Sequence, residues 1–122
     1  MSTVLVVEDT EADRMIVVTL LKAEGHTVLQ AADGQAGLEC LRKEHPDLVI
    51  IDGNVPGMNG LSVIKEMRAD SSIAEIPVIF CTACYDEYAT EKAIRSFGCP
   101  VISKPISFEH LLKTVDAVLG LK

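Results

Sequence analysis

The sequence predicts an α/β protein built on a doubly wound parallel sheet. Short aliphatic runs alternate with longer amphipathic ones five times over. The centres of the aliphatic runs (VLVV, LVII, VIF) are nearly continuous apolar stretches rather than polar–apolar alternations, as in parallel strands covered on both faces. A length of 122 residues fits one compact domain, and 48% hydrophobic against 24% charged residues is the balance of a globular chain with a real core. Five alternating pairs joined by right-handed crossovers give the doubly wound arrangement.

The first strand is expected over Thr3 to Val7, followed by a helix from about Glu11 to Ala23 with Thr10 placed to cap its start and Gly25 to follow its end. A second strand covers Thr27 to Ala31 and leads into a helix over roughly Gln35 to Glu44. The third strand, Asp47 to Ile51, precedes a helix over Leu61 to Ala69; the fourth, Pro77 to Cys81, precedes one over Asp86 to Phe97. After a fifth strand, Pro100 to Ser103, the last helix puts Phe108, Leu111, Leu112, Val115, Val118 and Leu119 on one face, with Ser107 to cap it. No linker or low-complexity tract interrupts the alternation, so residues 1–122 read as a single domain.

Charge narrows the function. Eleven Lys and Arg against eighteen Asp and Glu leave a net charge of -7, which argues against non-specific nucleic-acid or anionic-membrane binding. It suits a cation or a partner with a basic patch. No apolar run approaches the ~20 residues of a membrane span, so a cytoplasmic location is expected, with Cys40, Cys81, Cys84 and Cys99 as thiols.

In a doubly wound sheet, ligands sit beyond the carboxyl ends of the strands. There the sequence places Glu8 and Asp9 (VVEDT), Asp52 (LVIIDGNVPGMNG), Thr82 (VIFCTAC) and Lys104 (VISKP). Any one of these could simply mark a strand end. The whole set, each member directly after an aliphatic strand, points to chemistry. Carboxylates crowded at one rim repel one another unless a cation joins them, and an oxygen-only donor set suits Mg²⁺ better than zinc. A carboxylate beside Mg²⁺ can take a phosphoryl group as an aspartyl-phosphate, with the Lys104 ammonium and Thr82 hydroxyl to stabilise its oxygens.

These residues resemble the receiver domain of two-component response regulators over essentially the whole chain. The pattern is an acidic pair after strand one, Asp after strand three, Ser or Thr after strand four and Lys-Pro after strand five. The resemblance implies a flavodoxin-like three-layer αβα receiver fold with strand order 2-1-3-4-5. It implies Asp52 as phosphoacceptor from a histidine kinase or histidine phosphotransfer protein. Asp9 and Asp52 are then Mg²⁺ ligands, with Glu8 acting mostly through water and Asn54 through its backbone carbonyl, and Thr82 and Lys104 hold phosphoryl oxygens. It also implies a cis Lys104–Pro105 bond and a turn shaped by Pro56 and Gly60. Such a domain is a switch, not an enzyme beyond its own phosphorylation and dephosphorylation. Its fourth-helix, fifth-strand and fifth-helix surface changes affinity for a downstream target or a fused output domain.

Some positions depart from the family pattern. Val101 stands where many receivers carry the Tyr or Phe that moves inward on activation, and Gly53 where a larger apolar residue is usual, which is expected to loosen that loop. Asn54 and Cys84 match positions that tune dephosphorylation. Other signals are weaker. Cys81 and Cys84 form a CxxC with no second ligand pair for zinc, and Cys81 is expected in a buried strand. His26, His45 and His110 read as scattered surface residues. PGMNG lacks the Gly-Lys-Ser/Thr ending of a phosphate loop. A Mg²⁺-dependent phosphatase would want a second Asp where Asn54 stands, and a phosphorylation-independent interaction module would not need the intact acidic set.

Overall fold

A computed structural model describes residues 2–53, 59–83 and 95–120. Five strands, β1 (Thr3–Val7), β2 (Thr27–Ala31), β3 (Leu48–Asp52), β4 (Val78–Ala83) and β5 (Val101–Lys104), form one sheet in the order β2-β1-β3-β4-β5. Every neighbouring pair is parallel. The winding reverses between β1 and β3, so the crevice for a ligand opens where Glu8, Asp9 and Asp52 leave those strands.

Alternate residues of each strand feed opposite faces. Leu5, Val7, Val49 and Ile51 pack with Leu38 and Leu41 of α2 (Gly34–Glu44) and Val63, Ile64 and Met67 of α3 (Gly60–Ala69). Val4, Val6, Leu48 and Ile50 pack with Val17, Val18 and Leu21 of α1 (Glu11–Ala23) and Leu111 and Val115 of the C-terminal helix (Phe108–Leu119). This is the three-layer arrangement, and it explains the continuous apolar runs: both faces of the inner strands are buried. Each such Leu, Ile or Val contributes roughly 1.5–3 kcal/mol of burial.

Element boundaries shift by one or two residues. β3 and β4 run on to Asp52 and Ala83 because ladder pairing continues through Asp52–Cys81 and Ala83–Lys104. Helix starts are capped by side chains: Asp33 Oδ1 accepts from the Ala36 amide (2.7 Å), Asn59 Oδ1 from Ser62 (2.9 Å), and Ser107 Oγ from His110 (3.3 Å). Thr10, expected to cap α1, makes no side-chain cap; its amide donates to Glu8 Oε2 instead (3.0 Å). The left-handed backbone after α1 falls on Gly25, at φ +91°, where a side chain would be strained. Of the helix expected over Asp86 to Phe97, only the helical turn at 95–97 lies within the described residues.

Two further expectations are corrected. Phe108 is not on the buried face of the last helix but 52% exposed, because its side chain lines an open cavity beside Ile16 instead of packing into the core. His26 is a core residue, only 8% exposed, rather than a surface one. Cys81 is buried as expected, and burial followed by the charge of Asp52 pushes its thiol up to about 12. Among the described residues no helix is long and apolar enough to cross a membrane.

Candidate metal centre at the carboxyl ends of the strands

Parallel strands bring their last residues to one rim, and here that rim is acidic. One carboxylate oxygen from each of Glu8, Asp9 and Asp52 lies within 4.8 Å of the others. Asp52 and Glu8 are almost wholly buried, while Asp9 is exposed. From the far side of the sheet, Lys104 at the end of β5 donates Nζ to Asp52 Oδ2 (2.5 Å) and to Glu8 Oε1 (3.3 Å). The chain turns away directly afterwards through a cis Lys104–Pro105 bond. Thr82 is buried on β4, one residue beyond Cys81, which pairs in register with Asp52.

The electrostatics follow from this crowding. Burial first, then the hydrogen bond and charge of Asp52, raise the Glu8 carboxyl to about 7, against the pull of the Thr10 amide and Lys104. Burial works against the Lys104 ammonium, but Asp52 and Glu8 together outweigh it and hold its pKa above the ordinary lysine value. One ammonium facing three carboxylates leaves the rim short of positive charge. The donor set is hard and oxygen-only. The nearby Cys81 sulfur is held as a neutral thiol, so it is no thiolate ligand. These residues fit Mg²⁺, with room for water ligands at the exposed Asp9 side.

The structure thus brings together Glu8, Asp9, Asp52 and Lys104, with Thr82 at the same rim. Asn54 and Cys84, and with them Pro56, lie outside the described residues. Val101 is half-buried and pairs in register with Phe80. The loop that Gly53 is expected to loosen lies outside the described residues; beside Gly53 itself the buried Phe80 ring fills the space, and a Cβ there would meet Phe80 Cζ at 2.8 Å. A Cβ at Gly60 would lie 2.8 Å from the Asp52 carbonyl oxygen and 2.9 Å from Gly53 Cα. Glycine at both ends of the loop lets α3 start directly against the end of β3.

Two contributors went unnoticed in the sequence. Arg14 of α1 donates Nη1 to the Glu8 carbonyl (2.8 Å) and Nε to Gln30 Oε1 of β2 (3.0 Å). An arginine in an amphipathic helix reads as solvated surface, and no periodicity distinguishes one that reaches back over the strand ends. A cavity of about 510 Å³ runs from Glu8, Asp52 and Lys104 outward to Ile16 and Phe108.

With this geometry in place, comparison with known proteins is specific. The family model for the response regulator receiver domain matches residues 4–116. The chain is 36% identical over 118 residues to the polar-differentiation response regulator DivK of Brucella ovis, covering 96% of this chain and 95% of that protein. The structure of chemotaxis response regulator CheY4 of Vibrio cholerae superposes with a TM-score of 0.89 at 30% identity, over 97% of this chain and 98% of that one. The receiver domain of sensor histidine kinase PA1611 from Pseudomonas aeruginosa, solved with a magnesium ion coordinated in its active site cleft, superposes with a TM-score of 0.89 at 23% identity, over 98% of each chain.

Proposed function

The chain belongs to the response regulator receiver domain family of two-component signalling, and from that membership we propose that residues 1–122 form a phosphorylation-controlled switch with Asp52 as the phosphoacceptor. Receiver domains are regulatory signalling domains rather than enzymes acting on separate substrates. The reading is carried by one observation: buried Asp52 lies in a cluster with Glu8 and Asp9 while receiving the Lys104 ammonium.

Glu8, Asp9, Asp52 and the backbone carbonyl of Asn54 would hold Mg²⁺, which when bound supplies positive charge for the phosphoryl oxygens. An Asp52 carboxylate oxygen attacks phosphorus, forming an O–P bond as the P–N bond to the donor imidazole breaks. That nitrogen keeps the electron pair and is reprotonated from solvent. Lys104 and Thr82 donate hydrogen bonds to the transferred group's oxygens, replacing the ammonium–carboxylate contact of the resting site. Asn54 and Cys84 tune how long the aspartyl-phosphate survives hydrolysis. The phosphoryl group adds about -1.5 to -2 charge at the rim. Thr82 and the loop after it move toward it, and the surface of the fourth helix, β5 and the C-terminal helix changes its affinity for a downstream protein or output domain. Val101 brings no ring to this movement, so the change is carried by Thr82 and its loop.

The donor is a histidine kinase or histidine phosphotransfer protein in the cytoplasm. Its docking surface includes Ile16 and Phe108, large apolar residues left exposed at the mouth of the cavity that leads to Asp52, and Met15, exposed in the neighbouring groove that both of them also line. Incubation with Mg²⁺ and acetyl phosphate tests the assignment. The intact mass should rise by one phosphoryl group, and Asp52→Asn or a chelator should abolish the gain. Undiminished uptake by the Asn variant would overturn it.

A further inference from the structure

Each polar backbone and side-chain group of Glu8 is held. Its amide donates to the Ala31 carbonyl (3.0 Å), its carboxylate accepts from the Thr10 amide and from Lys104, and its carbonyl accepts from Arg14 Nη1 (2.8 Å). The Glu8 carbonyl belongs to the peptide whose N–H is that of Asp9, so fixing this oxygen fixes the plane from which Asp9 departs. Asp9 is exposed, and packing gives its carboxylate no orientation; its aim rests on the backbone. Arg14 is itself anchored at a second point by Gln30 Oε1 (3.0 Å). Gln30 stands on β2 in register with Val6, beside the Ala31 that holds the Glu8 amide. The planar guanidinium donates in two fixed directions at once, which a lysine ammonium on a flexible stem cannot reproduce.

We propose that Arg14, braced by Gln30, is a positioning residue that sets Mg²⁺ affinity by locking the Glu8–Asp9 peptide. The proposal rests on the Mg²⁺ site of the preceding section. Groups that orient metal ligands without touching the metal typically change affinity by about 10–100-fold when lost. A guanidinium this close also repels a cation, so Arg14→Ala would mix two opposing effects. Arg14→Lys keeps the charge and removes the fork, which isolates the geometry; Gln30→Ala keeps the arginine and removes its brace.

The test is calorimetric titration of Mg²⁺ into the full chain and both variants, with urea unfolding in chelator as a parallel measure of stability. Arg14→Lys should bind Mg²⁺ about tenfold more weakly, and Gln30→Ala should shift the same way by less, both while fully folded. If either folded variant keeps wild-type affinity, or if weakened binding only tracks a lost folded fraction, the positioning role is overturned. Should Arg14→Lys fail to fold, the Gln30→Ala result decides. Wild-type protein that takes up no Mg²⁺ overturns this inference together with the proposed function, whereas normal wild-type binding with unaffected variants overturns this inference alone.

Discussion

Glu8 shows most directly what convergence costs. Held near pKa 7 by burial and by Asp52, it binds a proton in the folded chain that the unfolded chain, with an ordinary glutamate near 4.5, releases sooner. A group with a raised folded pKa stabilises fully below its unfolded pKa and loses that contribution as pH rises through the folded one. In chelator, the urea midpoint should therefore fall between about pH 5 and pH 8, and Glu8→Gln, which cannot ionise, should flatten that fall. A midpoint equally steep in the variant would show that another group carries the pH dependence. Mg²⁺ competes with the same proton, so its affinity should rise over this range and level off once the pH is well above the Glu8 pKa of about 7. Lys104 contributes in the opposite charge sense, and its raised pKa keeps the ammonium in place throughout.

At the scale of elements, α1 and the first turn of the C-terminal helix form the mouth of the cavity, and their exposed Ile16 and Phe108 are the side chains proposed to meet the phosphodonor protein. Burying one such side chain is worth roughly 1.5–3 kcal/mol. Ile16→Asp or Phe108→Asp should thus slow phosphotransfer from the cognate histidine kinase by about tenfold or more and leave labelling by acetyl phosphate nearly unchanged. Equal loss with both donors would mean a damaged site rather than a lost docking surface. The same helix shows where sequence reading stops. Strand and helix positions were legible because both faces of the sheet are covered, and Glu8, Asp9, Asp52, Thr82 and Lys104 because each breaks an aliphatic strand at its carboxyl end. Phe108 matched the helical period of Leu111 and Val115, yet period does not say that the first turn of the helix faces an open cavity rather than core. Thr10 had the right side chain for a cap, but its amide was drawn to Glu8. The Phe80 ring over Gly53, and Arg14 over Glu8, pair residues from separate elements; neither leaves a trace in local spacing, because side-chain volume and reach act only once the sheet has formed.

For the whole molecule, the net charge of -7 and the acidic rim predict two different responses to cations. Screening of the overall charge is non-specific, and monovalent salt would produce it as well as Mg²⁺. Binding at the Glu8, Asp9 and Asp52 cluster stabilises only the folded state, because in the unfolded chain more than forty positions separate Asp52 from the adjacent Glu8 and Asp9. Mass action then gives about 2.7 kcal/mol at a hundredfold excess over the dissociation constant, which for a domain of this size is a rise of about 10 °C in Tm. Matched ionic strength separates the two responses. In sodium chloride at the same ionic strength Tm should move little, and in Mg²⁺ it should climb with the logarithm of concentration. Asp9→Asn should lose most of that climb while keeping its Tm in chelator, since Asp9 is exposed and carries no packing. An equal rise in both salts would reduce the cluster to surface charge. A Mg²⁺-specific rise lost with Asp9 would instead tie the stability of the whole fold to the rim where its strands end.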